Sequence, residues 1–285
     1  MHRVVRLIGN LSNMATVASK RSKPKAKSSV AALREGKGAG REAQGASAGT
    51  KRRKTWENVK SIATTVALFL LIRAFLIEAY RIPSESMTPA LLVGDWLFVN
   101  KLRFGPNIPF TNINLPGYAE PVRHDVVVFK SPTQIDQPED PNPTLVKRLI
   151  GMPGDTLYMR DAKLFVNGVP QSEPYAASSE PGGDEISPLF VWQKQYSLAS
   201  SRFGAAPPQP SHDNWGPLVV PPGHYFMMGD NRYNSKDSRY WGLVPRENIR
   251  GRPMFVYYSW NAVDSDRPLP ALTDIRWGRI GDWIK

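Results

Sequence analysis

Residues 61–90 read SIATTVALFLLIRAFLIEAYRIPSESMTPA, and the way this stretch divides decides the architecture. Ser61–Tyr80 is apolar over a length that lets a helix cross a bilayer, at ~1.5 Å rise per residue against a hydrocarbon core of ~30 Å. Arg73 is the objection, because an Arg at the centre of a spanning helix costs about 2.5–3.5 kcal/mol. It lies in the second half, where its stem can snorkel to the far headgroups, and Glu78 is close enough to pair with it. Pro83 then breaks the helix, and Ser84-Glu85-Ser86-Met87 follows at once. A nucleophile at Ser86 would stand where a membrane helix surfaces. The plainer alternative is the buried core helix of a soluble domain.

What precedes the apolar run argues for the membrane. Residues 1–54 hold 14 Lys+Arg against 2 Asp+Glu, whereas the other 231 residues hold 23 of each sign, so the net charge of +12 belongs to the tail. A basic tail fits nucleic acid or an anionic membrane surface, and its place directly before an apolar run favours the membrane. Lys51-Arg52-Arg53-Lys54 is a positive-inside signal, which predicts the tail in the cytoplasm and the rest of the chain outside. Residues 15–54 lack aromatics and are rich in Ala, Gly, Ser and Lys, so they read as disordered. The first fourteen residues could form a short amphipathic helix. With no cysteine, disulfides, thiolate catalysis and Cys-based zinc sites are excluded.

Beyond Pro83 short apolar alternations separated by turn residues replace the long run. Trp96–Asn100, Asp125–Lys130, Thr144–Ile150, Lys163–Asn167, His224–Met228 and Met254–Trp260 each fit a strand. Asn167-Gly168 is a hairpin signal, and 26 prolines leave little room for long helices. The body is therefore expected to be mainly β, with coiled antiparallel sheets. Three parts follow: a basic tail over 1–54, a transmembrane helix over 55–80 and a β domain over 81–285. The Pro/Gly/Ser-rich stretch at about 156–223 reads as an inserted subdomain. The loop 103–121 carries Phe104, Ile108, Phe110, Ile113, Leu115 and Tyr118, which suit either core packing or a dip into the bilayer.

A serine is inert until a base takes its proton. The chain has four histidines, His2, His124, His212 and His224, and lacks a Gly-x-Ser-x-Gly elbow. A Ser-His-Asp triad stays open but unsupported. A lysine is the other candidate, provided that an apolar pocket keeps it neutral. Lys147, in Leu145-Val146-Lys147-Arg148-Leu149-Ile150, has apolar neighbours on an expected strand, although a solvated face is the ordinary place for such a residue. Alternation sends Lys147 and Arg148 to opposite faces, so one can enter a pocket while the other stays wet. The segment from Gly229 to Gly242 is dense in hydroxyl, carboxylate and guanidinium groups. Asp237 and Arg239 could pair there to hold the loop, or the segment could be a polar surface loop with a weak salt bridge.

These segments together resemble the bacterial type I signal (leader) peptidases. Pro83 through Leu91 looks like their nucleophile box, Gly94 through Lys101 like the next, Lys147 through Asp155 like the lysine box and Gly229 through Gly242 like the last. The likeness covers residues 78–260, with the tail and the insert outside its strong part. It implies a fold shared with the self-cleaving repressors and cleavage of signal peptides from exported preproteins through a Ser-Lys dyad. Ser86 would be the nucleophile and Lys147 the general base. The Ser86 amide and the Ser84 hydroxyl would form the oxyanion hole. Ser235 would orient Lys147, Asp237 and Arg239 would brace the site, and Met87 would border the substrate pocket. The resemblance implies no metal and no cofactor. Its partners would be preprotein signal peptides and the lipid bilayer, with no nucleic acid. Its place would be the bacterial plasma membrane, single-pass, with the N-terminus cytoplasmic. Glu85 stands where many members have glycine, Ala90 where many have threonine, and only one spanning helix is visible where some members have two. A self-cleaving repressor would need a DNA-binding domain in place of the helix.

Overall fold

The computed structural model describes residues 39–108, 111, 113–177, 183–198 and 202–285, with side chains described from residue 53 onward. The short amphipathic helix expected in the first fourteen residues, most of the tail and Phe110 lie outside these. Residues 61–285 form one compact unit.

Helix α1 runs from Ala39 to Phe75. It begins well inside the stretch read as disordered tail, because Ala, Glu, Gln, Lys and Arg are helix formers and extend the apolar helix toward the N-terminus. Arg53–Phe75 is long and apolar enough to cross a membrane, and Ile62, Leu68, Phe69, Leu70 and Leu71 are all exposed. The helix ends at Phe75, not at Tyr80. Leu76 N–H still donates to Ile72 O at 2.8 Å, and strand β1 (Ile77–Arg81) starts at the next residue. Strand β1 pairs antiparallel with β2 (Asp95–Asn100), Ile77 opposite Asn100 and Arg81 opposite Trp96. This register sends Glu78 to Lys101, at 3.2 Å, rather than back to Arg73.

The body is mainly β, as expected. The further strands are β3 (Val126–Lys130), β4 (Thr144–Gly151), β5 (Thr156–Arg160), β6 (Lys163–Val166), β7 (Val169–Pro170), β8 (Trp215–Val219), β9 (His224–Met228), β10 (Val244–Pro245) and β11 (Ile249–Ser259). Seven strands make one antiparallel sheet in the order β1-β2-β11-β3-β4-β9-β10. Strand β11 pairs with β2 over its second half and with β3 near its start, and register shifts along it bend the sheet. The other four make a smaller sheet, β7-β6-β5-β8. Asn167 and Gly168 join β6 to β7 with φ of 54° and 87°, the two positive angles that a type I′ hairpin requires.

The small sheet lies wholly within the stretch read as an insert, yet it has no core of its own. Leu157, Leu164, Trp215 and Leu218 from its strands bury together with Ile150, Phe226 and Met228 from the large sheet. Each such side chain is worth about 1.5–3 kcal/mol on burial, so the two sheets hold each other. The loop 103–121 divides between its two readings: Phe104 enters the core beside Phe129 and Trp241, while Ile113, Leu115 and Tyr118 stay exposed.

Candidate active site

Three segments build the site. The first is the turn that leaves β1. Ile82 N–H donates to Asp95 O at 2.8 Å, which anchors the chain to the start of β2 just before Pro83. Ser84 is extended, with φ −136° and ψ 160°, and a short 3-10 turn over Glu85–Met87 follows. That geometry brings the Ser84 and Ser86 hydroxyl oxygens to 3.3 Å. Ser86 is buried, and Met87 packs into an apolar cluster with Ile82, Leu91, Leu97, Val126 and Val256, flanked by Val146.

The second segment is β4, which packs against this turn. Lys147 faces Val127 across the β3–β4 pair and is only 3 % exposed. Among the described residues, its Nζ has no hydrogen bond and no carboxylate within ion-pair distance. Burial without such a partner disfavours the ammonium and lowers the pKa to about 8. In that balance the Asp237 anion opposes the shift, the Arg239 cation adds to it and the Asp230 anion opposes it.

The third segment follows β9. Asn231 N–H donates to Ser86 O at 3.1 Å and so ties this loop to the serine turn. Gly229 is required by the closeness of the two. A Cβ there would lie 2.2 Å from Ser235 Oγ and 2.5 Å from Ser86 O, distances no side chain can share. Asp237 caps helix α2 (Ser238–Trp241), accepting from Arg239 N–H at 3.2 Å. Its carboxylate also accepts from the Ser235 hydroxyl at 3.0 Å, from Gly229 N–H at 3.1 Å and from Arg239 Nε and Nη2, each at 2.8 Å. Burial pushes the Asp237 carboxyl up, but the Arg239 guanidinium and these donors outweigh it and hold the carboxyl below its ordinary range. Both partners are fully buried, which rules out the exposed, weak salt bridge.

The structure thus brings Ser84 to Ser86, and Ser235 and Arg239 to Asp237, and joins the two groups through Gly229 and Asn231. Ser235 donates to Asp237 and makes no hydrogen bond with Lys147 here. The alternation on β4 does not leave Arg148 wet. Arg148 is buried because Asp230 takes its Nε and Nη2 at 2.8 and 2.6 Å and the Tyr175 ring lies 4.1 Å beneath the guanidinium. No described histidine hydrogen-bonds Ser86. His124 Nδ1 meets the Tyr175 hydroxyl at 2.9 Å, and His224 Nδ1 meets Pro222 O at 3.0 Å. His212 Nδ1 meets Asp213 at 2.6 Å, and His2 lies outside the described residues. Sequence reading missed the Arg148–Asp230 clamp, although Asp230 follows Gly229 in the quoted loop. It also missed the closeness that only Gly229 permits.

A buried serine at a strand-end turn, locked to a loop of buried charge beside an unpaired lysine, marks a hydrolase of the serine-peptidase class. Residues 55–260 match the family described as signal peptidase, peptidase S26, and the chain belongs to that family. The signal peptidase I of Pseudomonas fluorescens is 37% identical over 239 residues, spanning 78% of this chain and 77% of that protein. The signal peptidase I of Pseudomonas aeruginosa is 36% identical over 219 residues, spanning 70% and 72%. That of Bacillus licheniformis is 34% identical over 214 residues, spanning 75% and 94%.

Proposed function

We propose that this chain is a membrane-anchored endopeptidase that removes N-terminal signal peptides from exported preproteins, with Ser86 as nucleophile and Lys147 as base. The observation that carries the reading is Lys147: a lysine buried beside the serine turn without a carboxylate, its pKa lowered to about 8, can be neutral at working pH and accept a proton.

Ser86 Oγ attacks the scissile carbonyl as its proton passes to Lys147 Nζ. The tetrahedral oxyanion is met by the Ser86 amide and the Ser84 hydroxyl; loss of one such donor typically costs about 10²–10³ in rate. Lys147 then returns the proton to the leaving amine of the mature chain, and the signal peptide stays esterified to Ser86. Water, deprotonated by Lys147, attacks the ester and releases the signal peptide acid. Ser235, its own proton held by Asp237, offers lone pairs that orient Nζ. Signal peptides end in small residues of the A-x-A kind. Ile82, Met87 and Val146, packed together beside Ser86, form an apolar floor that suits such side chains.

The anchor is α1, with its apolar residues exposed from Ile62 onward and the basic run 51–54 before them. This arrangement supports a single pass through the bacterial plasma membrane, tail in the cytoplasm and catalytic body outside. Because β1 begins one residue after the last helical hydrogen bond, a strand of the sheet fixes the height of Ser86 above the bilayer. The test is cleavage of a purified preprotein by the full chain in detergent, with the cut mapped on the product. Cleavage after a small-x-small sequence, abolished in Ser86→Ala and Lys147→Ala, is expected. Cleavage that survives either substitution rejects the dyad.

A further inference from the structure

Glu85 stands between the two serines of the turn, and the chemistry above gives its carboxylate no task. It is exposed, whereas Ser86 and Met87, the next two residues, are buried. The carboxylate is nonetheless held in place. Asn234 Nδ2 donates to Glu85 Oε2 at 2.9 Å, from 149 positions further along the chain. Asn234 leads into Ser235, and Ser235 Oγ and Ser86 O both lie within 2.5 Å of one point, the Cβ position of Gly229. Asn231 N–H, three residues before Asn234, donates to Ser86 O at 3.1 Å. Glu85 and Asn234, both exposed, therefore bridge the serine turn and the loop after β9 at the rim of the site. Among the described residues, no cation lies within ion-pair distance of this carboxylate. The basic residues of the loop have partners of their own: Arg232 has Glu173 at 2.7 Å, Lys236 has Asp136, and Arg239 has Asp237 at 2.8 Å. Arg81, at the end of β1, holds its guanidinium 5.4 Å from the centre of the Trp260 ring.

We infer that Glu85 is a specificity-determining residue: a fixed negative charge that selects preproteins by the charge of the first residues after the cut. The inference rests on Ser86 as nucleophile and narrows the substrate class. Mature chains that begin with basic or neutral residues are favoured over those that begin with acidic ones. The apolar floor of Ile82, Met87 and Val146 suits the small side chains that end a signal peptide, and neither Glu85 nor Asn234 belongs to it. The segment that meets a wet, charged rim is the one bound for solvent, the new N-terminus. Glu85 is bonded directly to Ser86, and consecutive Cα atoms are ~3.8 Å apart. Its carboxylate thus stands on the order of a Debye length, ~8 Å at physiological salt, from side chains one or two residues past the scissile carbonyl. At that separation one unit charge alters a rate or equilibrium constant about threefold with the dielectric of water and about thirtyfold with that of a protein surface. Asn234 matters because it keeps the charge at the rim. A free Glu side chain would swing into solvent, where water and salt screen it.

The test measures kcat/KM of the full chain in detergent at low salt. The peptide substrates share one signal-peptide sequence and carry Lys, Gln or Glu at each of the first three positions after the cut, or at the middle residue of the small-x-small sequence. At one or more of the three positions, wild type is expected to favour Lys over Glu about tenfold. Glu85→Gln keeps an oxygen for Asn234 and loses the charge, so the ratio should fall to within about twofold. Glu85→Lys should invert it, and added salt should shrink the wild-type ratio. Both variants change an exposed side chain, and a ratio taken within one enzyme does not depend on how much of that enzyme is active. A wild-type ratio near one at all three positions overturns the inference, and so does a ratio that is the same in wild type, Glu85→Gln and Glu85→Lys. Discrimination confined to the middle residue of small-x-small would put Glu85 on the signal-peptide side and overturns it too. Activity in Ser86→Ala would instead sink the dyad reading; an inactive Ser86→Ala with a charge ratio indifferent to Glu85 sinks this inference alone.

Discussion

Replacing Lys147 with methionine should destroy activity and raise stability. Methionine has nearly the length of the lysine stem, is apolar and adapts its shape, so it fills the same place beside Val127 without a charge. The folded protein lowers the lysine pKa from 10.5 to about 8 because burial disfavours the ammonium. Between these values the unfolded chain binds more protons than the folded one, so the wild-type lysine opposes folding most at low pH and least above 10.5. At about 1.4 kcal/mol per pH unit, the full penalty is on the order of 3 kcal/mol, present almost entire at pH ~7. It falls to about 2 kcal/mol near pH ~9 and below about 1 kcal/mol near pH ~10. The assay is denaturant unfolding of wild type and Lys147→Met in the same detergent at several pH values. Lys147→Met should be the more stable at neutral pH, with the gap closing as pH rises. A less stable Lys147→Met, or a gap that does not change with pH, would refute the claim that the lysine sits buried and uncompensated.

Other perturbations test the rest of the site. Gly229→Ala should cost both activity and stability, because its Cβ would lie 2.2 Å from Ser235 Oγ and 2.5 Å from Ser86 O; a fully active, equally stable variant would remove the close-approach argument. Asp237→Asn leaves the Arg239 guanidinium buried without its counter-ion and should lower unfolding free energy by about 3–5 kcal/mol, read by denaturant titration. Asp136→Asn removes the exposed partner of Lys236 and should leave the melting temperature within error. Inserting several residues between Phe75 and Ile77 should impair cleavage of membrane-held precursors more than of short soluble peptides; equal effects on both would count against β1 as the spacer.

Much of this fold could be read from the chain because its strands alternate between turn residues. The pattern that marks Trp96–Asn100 and His224–Met228 sits close to β2 and β9. Strand β1 escaped because Ile77–Tyr80 continues the apolar run of α1, and period alone does not tell the end of a helix from a short apolar strand. Strand β8 escaped because Pro217 interrupts it, and it lies at the edge of its sheet, where a proline is tolerated. Ser86 and Lys147 were visible as residues, but a lysine on a strand reads the same whether wet or dry. Its burial depends on β3 and on segments far along the chain. The burial of Arg148 follows from Asp230, 82 positions away, and the hold on the Arg239 carbonyl comes from Trp192 and Gln193, neither of which lies in the loop it supports.

The central claim is that Lys147, neutral, takes the proton of Ser86. It is tested most directly by the rate of acyl-enzyme formation from a preprotein in a single turnover, measured with the full chain from acid to alkaline pH. With a pKa of about 8, roughly a tenth of the lysine is neutral at pH ~7, so the rate should rise about tenfold to a plateau above pH ~9. It should vanish in Lys147→Ala. A rate already at its plateau near neutral pH, or acylation that persists in Lys147→Ala, would contradict the account.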